Sequence, residues 1–182
     1  MYLKLSAVRS TIKTLFVMEA KYRNGEGDKS AISLIAKRTV ASARSFAAHG
    51  TRCSPIRHVG NLIPPSTADG ISIGDVSEAS AIEYSVLVLK VANIVICGHS
   101  ECGAMQVVSA GREPLETPNL AKWLHHAHAA AFRLEHEGAL DSNLKPHDQL
   151  SQVNVLVDLE HLMSYPIVRE KVVAGTLQVS GW

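Results

Sequence analysis

Apolar positions recur along this chain in two rhythms, and the rhythms separate helices from strands. Between residues 2 and 22, Leu3, Val8, Ile12 and Leu15-Phe16 fall on one side of a helix. Ala31-Ile32-Ser33-Leu34-Ile35 reads as a short strand, and the rest of 24–55 holds no clear period. Val59 to Pro65 is a loop that Pro64 and Pro65 hold extended. Ser77 is an N-cap with Glu78 in the first turn, and Ile82, Val86 and Leu89 then follow at helical spacing. Asn93 to Cys97 is a continuous, mostly β-branched run, the pattern of a strand buried on both faces. A helix should start near Gly103. Beyond a loop bracketed by Pro114 and Pro118, Leu120, Trp123-Leu124, Ala127 and Ala131 mark a helix over 119–137. Leu150, Val153, Leu156-Val157 and Leu159 mark another over 148–163. Pro166 suits the first turn of a short helix ending at Gly175, and 176–180 alternates as a strand. This order predicts an α/β domain with a mainly parallel sheet flanked by helices.

Composition narrows the class without naming it. The 182 residues suffice for one core. A net charge of +1 gives no electrostatic case for nucleic-acid or membrane partners. Three cysteines do not make a disulfide scaffold and fit a reducing, cytoplasmic setting. No apolar run approaches the ~18–20 residues that span a bilayer. Lys4, Arg9 and Lys13, with no acid before Glu19, are features shared with organelle leaders. A soluble helix accounts for that segment better.

The chemistry concentrates at Cys97-Gly98-His99-Ser100-Glu101-Cys102-Gly103, directly after the Ile94-Val95-Ile96 run. His99 and Cys102, spaced i and i+3 at a strand exit, can bring an imidazole nitrogen and a thiolate to one point, and both are zinc ligands. Glycines at 98 and 103 suit a sharp turn and close packing. Zinc takes four ligands, so the origin of the others decides what the site can do.

Several segments resemble the β-class carbonic anhydrases. Arg57-His58-Val59-Gly60-Asn61-Leu62-Ile63-Pro64-Pro65 is similar to that family's Arg-Asn-x-Gly-Asn-x-x-Pro-Pro loop, and Ser77 to Tyr84 to the helix after it. Ile94 to Met105 resembles the Gly-His-Ser-x-Cys-Gly-Ala-Met zinc motif. Asn119 to Leu124, Asn154-Val155-Leu156, Leu159 to Leu162, Tyr165 to Glu170 and Gly175 to Trp182 resemble its bacterial and cyanobacterial branch. The resemblance implies a zinc lyase for the reversible hydration of CO2 to bicarbonate, assembled as a homo-oligomer, dimer or tetramer. It implies His99 and Cys102 as metal ligands. It places Gly60, Asn61, Gly103 and Ala104 around the substrate pocket. Zinc in such a site lowers the pKa of bound water to about 7.

The resemblance covers 57–182 and stops there, so 57–182 is expected to form the family domain and 1–56 a segment of unassigned fold. The family's remaining ligand lies in a Cys-x-Asp-x-Arg motif at the end of a central strand, and this chain has no such motif. Residues 24–55 do not look like that strand, so an incomplete sheet is expected. Cys53 lacks the Asp and Arg at the right offsets, and Cys97 reads as a core residue. Relatives continue past the position of Trp182 into a further strand. Upstream of about residue 56, a shifted reading frame and a degenerate domain both account for the mismatch, and the gene's nucleotide sequence separates them. No catalytic residue is assigned. The expected behaviour is weak zinc binding with little CO2 hydration. The alternative is an inactive relative acting as an oligomerisation partner or a zinc-binding module. His125, His126 and His128 read as solvated helix surface, His58 as a loop hydrogen-bonding residue, Glu101 as helix-start chemistry and His161 as a packing residue.

Overall fold

The structure is a computed structural model, and it describes residues 32–36, 53–111 and 116–181, the backbone alone for 32–36 and 53–55. The helix expected over 2–22 lies outside the described residues. Four strands form one parallel sheet: β1 (Ile32–Ala36), β2 (Cys53–Ile56), β3 (Asn93–Cys97) and β4 (Gln178–Gly181). Their order is β2-β1-β3-β4. The strand expected at 31–35 is therefore present as β1, in the sheet interior, paired with β3 from Ile32↔Asn93 to Ala36↔Cys97. This corrects the expectation that the segment before residue 57 lacks the central strand. Ile-Ser-Leu-Ile is too short to show its neighbours, and the ladder with β3 supplies them.

The helices are α1 (Val76–Glu83), α2 (Gly103–Ser109), α3 (Pro118–Leu124), α4 (His128–Glu137), α5 (Pro146–Ser164) and α6 (Pro166–Val173). The cap of α1 is Asp75, whose carboxylate accepts the Ser77 N–H at 2.6 Å, so the helix starts just ahead of Ser77. A π-helical turn at Tyr84–Val88 follows α1, and the chain leaves it through Lys90 at φ 51. That turn leaves Tyr84, Leu87, Val88 and Leu89 exposed while Ile82 and Val86 stay buried. The helix expected over 119–137 is divided by a 3-10 turn at His125–Ala127, which keeps Leu124, Ala127 and Ala130 on the inner side.

α5 is the spine of the molecule. Val155, Leu159 and Leu162 pack with Ile94 and Ile96 of β3 in one apolar cluster. Leu150, Val153 and Val157 pack with Met105, Leu124 and Ala127 in a second. Between these two apolar stripes runs a polar one, at Asn154, Asp158, His161 and Tyr165, spaced four, three and four residues apart. It faces the loop after β2, whose adjacent residues Leu62 and Ile63 enter opposite clusters.

Candidate metal centre

The loop is built first by its own backbone. Gly60 has φ 75 and Asn61 φ 56, so the chain turns through left-handed conformations before it enters the core. A side chain at Gly60 would stand 3.2 Å from the Ala104 Cβ, so glycine there lets the loop close on the first turn of α2. Pro64 and Pro65 have no N–H to offer, and α5 with Tyr165 just beyond it takes up backbone groups at Ile63, Pro64 and Ser66. Asp158 Oδ1 accepts the Ile63 N–H at 2.9 Å, and His161 Nδ1–H donates to the Ile63 carbonyl at 2.6 Å. The Tyr165 hydroxyl donates to the Pro64 carbonyl at 2.9 Å, and Ser164 Oγ accepts the Ser66 N–H at 2.8 Å. Asp158 also accepts from Asn154 Nδ2 at 2.6 Å. Burial pushes the Asp158 carboxyl well above its ordinary value, although these two donors work against the shift.

The second wall is the turn between β3 and α2. Glu101 stands at φ 54, and its N–H donates to Asp148 Oδ1 at 2.7 Å. Its carboxylate accepts from the Lys145 ammonium, from Gln106 Nε2 at 3.3 Å, and meets His147 Nε2 at 3.2 Å. The Lys145 bond is the largest influence holding that carboxyl below its usual range. Glu101 thus clasps the turn to the start of α5 as well as standing before α2. Glu101, His147 and Asp148 bring three ligand-type atoms within 4.8 Å of one another. The Lys145 ammonium already occupies that carboxylate, so the group works as a salt-bridged clasp.

His99 and Cys102 meet in this turn. Cys102 is 2% exposed and caps α2 in an extended conformation. Burial alone would push its thiol up. The bond with His99 and the backbone N–H groups of Met105 and Ala104 outweigh it, and the thiol is held below its ordinary value. A small cavity of about 10 Å³ opens here, lined by Gly60, Asn61, Gly98, His99, Cys102, Met105, Ser151 and Asn154. That is room for about one water molecule. Asn61, Ser151 and Asn154 are 3%, 8% and 2% exposed. Among the described residues, the Asn61 amide, Ser151 Oγ and Asn154 Oδ1 have no protein partner.

Of the residues assigned from sequence, the structure brings His99, Cys102, Gly60 and Asn61 together around one cavity. Ala104 lies behind it, against Gly60, and a side chain at Gly103 would meet open space. The sequence reading passed over Ser151 and Asn154. A signal for them exists: polar residues lying between two apolar stripes of one helix must be inside. His58 Nε2 lies 2.7 Å from the buried Glu78 Oε1, and its ring meets Trp123 edge-on at 5.3 Å. Burial raises the Glu78 carboxyl, partly offset by His58. His125 and His128 are exposed, and their rings touch each other at 4.5 Å.

Imidazole and a low-pKa thiol suit zinc in kind. They do not suffice in number, because a catalytic zinc site takes three protein ligands. Among the described residues, no third His, Cys, Asp or Glu joins His99 and Cys102. The family's metal therefore fits this donor set incompletely.

The ligand-type side chains of His99 and Cys102 follow the carboxyl end of β3 in a parallel α/β sheet, beside a small polar cavity, which is where such sheets place their sites. The chain belongs to the β-class carbonic anhydrases: a carbonic anhydrase family model matches residues 41–182. It is 40% identical over 128 residues to a carbonic anhydrase of Pseudomonas aeruginosa, covering 70% of this chain and 55% of that protein. It is 36% identical over 134 residues to one of Synechococcus elongatus, covering 70% and 45%. The chain thus spans about half the length of these curated relatives. The solved β-carbonic anhydrase CcaA superposes with a TM-score of 0.71 at 27% identity, covering 86% of this chain and 75% of that one. One of two tetrameric β-carbonic anhydrases from Sordaria macrospora gives 0.64 at 25%, covering 85% and 75%. No described helix is long and apolar enough to cross a membrane.

Proposed function

We propose that this chain is a cytoplasmic carbonic anhydrase homologue, built for the reversible hydration of CO2 to bicarbonate, in which that reaction is impaired. The observation that carries the reading is the convergence of His99 and Cys102 on a cavity walled by Gly60, Asn61, Ser151 and Asn154. The cavity has room for a group about the size of one water molecule. Met105 lines it and packs with Leu62 in one apolar cluster, and the Asn61 amide and the Ser151 hydroxyl, which have no protein partner, offer hydrogen bonds to oxygen atoms. Zinc is the metal of this reading, held by His99 and Cys102. The impairment follows from the donor count, since two ligands hold the ion weakly.

The same shortfall favours a second reading, a catalytically inactive relative that serves as an oligomerisation partner. Exposed Ile71, Ile73, Val76, Tyr84, Leu87 and Val88 support assembly into a dimer or tetramer. Stopped-flow CO2 hydration with zinc content measured on the same sample tests both readings. The expected result is turnover near background with well under one zinc per chain. Fast turnover with one zinc per chain would overturn the impairment.

A further inference from the structure

Four structural neighbours could supply a third ligand to the turn at 98–102, and three are accounted for. The loop offers Gly60 and Asn61, and α5 offers Ser151 and Asn154 to the cavity, none of them a zinc ligand type, while His147 and Asp148 at the start of α5 are engaged with Glu101 and do not line it. β4 ends beside β3 at Ser180-Gly181, and Gly181 is pressed against α5, where an added side chain would meet Val155 at 2.4 Å. The fourth neighbour is the carboxyl end of β1. It runs beside β3 in register to its last residue, pairing Ile35 with Ile96 and Ala36 with Cys97.

We infer that the His99–Cys102 pair is a half-site whose third ligand position lies at the carboxyl end of β1, where the chain places Ile35 and Ala36. The inference rests on the proposed metal role of His99 and Cys102. Cys53 does not replace the missing ligand. It opens β2 opposite Ile32, which is itself level with Asn93. It therefore stands four residues from the Cys97 level and two strands from β3, about 13 Å along the sheet and about 10 Å across it. Between residues 29 and 57 there is no Asp or Glu, and the ligand types are His49 and Cys53 alone. The sheet keeps the geometry of a complete centre, and the chemistry on one of its two strands is missing.

The test uses the full chain, with Co²⁺ as a spectroscopic probe and Zn²⁺ in competition with a chromophoric chelator. Wild type is expected to bind weakly and to show one thiolate in the cobalt charge-transfer band. Cys102→Ser should abolish that band, while Cys53→Ser, Cys97→Ser and His49→Ala should leave it unchanged. Adjacent strand positions project to opposite faces, so Ile35→Cys and Ala36→Cys together cover both. One of the two should add a second thiolate to the cobalt spectrum. It should also tighten zinc at least about 100-fold, beyond what outer-shell changes give. Tight zinc in wild type, or loss of metal in Cys53→Ser or His49→Ala, would overturn the inference whether or not the strand variants fold. Folded strand variants that bind no tighter would do the same. A wild-type band insensitive to Cys102→Ser would instead remove the metal role of His99 and Cys102, and the inference with it.

Discussion

Two walls of one cavity are built on opposite principles. The loop wall is engaged through its backbone: groups at Ile63, Pro64 and Ser66 are taken up by α5 and by Tyr165 just beyond it, and Leu62 and Ile63 split between two cores. The turn that carries His99 and Cys102 is held as firmly from outside, through Glu101 and the start of α5, yet its inward groups are underused. Stability resides in the first wall and chemistry in the second. A fold can therefore retain its framework while a ligand is missing, because the framework does not depend on the ligand.

Substitutions should pull these two properties apart. The largest stability effect is expected at Asp158. Asp158→Ala strands the Ile63 N–H and the Asn154 amide in the core, and should cost about 2–4 kcal/mol in denaturant unfolding. Asp158→Asn can still accept from Ile63, with the Asn154 amide turned to match, and should cost less than about 1 kcal/mol. Equal losses in the two variants would place the stability elsewhere. Gly60→Ala comes next: a left-handed φ and the approach to Ala104 should cost about 2 kcal/mol, read as a lower Tm.

The pH dependence of stability has a definite sign. Burial, foremost, lowers the pKa of His161 and of His126 from 6.5, so the unfolded chain takes up these protons first as pH falls. Their contribution is full above pH 6.5 and is lost as the pH falls through the folded values. Asp158, with a raised pKa, acts in the opposite direction, its contribution being lost as pH rises through its folded value. Melting curves of wild type and His161→Gln across this range should differ in slope. Parallel curves would assign the acid sensitivity to other groups.

The smallest stability effects belong to the surface and to the chemical wall. Arg133→Ala removes exposed pairs to Glu137 and Glu160 and should change stability by about 0.5 kcal/mol or less. Cys102→Ser should leave Tm unchanged or slightly higher, since serine is a favoured helix cap, while metal retention falls. A sharp drop in Tm would mean that the turn depends on the thiol.

Much of this was legible in the residues. Period and punctuation placed β3, the helix after it and the course of α5, and the ligand types at 99 and 102 were read where the structure brings them together. The position of β1 was not legible, because five residues with one serine among them do not say which strands will flank them. Ser151, Asn154 and Asp158 were given no site role because a polar residue on an amphipathic helix is ordinarily assigned to water. Here the helix carries apolar stripes on both sides of the polar one, which puts the polar groups inside.

The clasp between loop and α5 also sets an order of events. Its bonds join residues 95, 98, 98 and 101 positions apart. Closing so long a segment costs chain entropy before any of these contacts can form. During synthesis the loop leaves the ribosome about a hundred residues ahead of its partners. Its inward-facing leucine and isoleucine must wait for α5, so the cavity is among the last parts of the molecule to take shape.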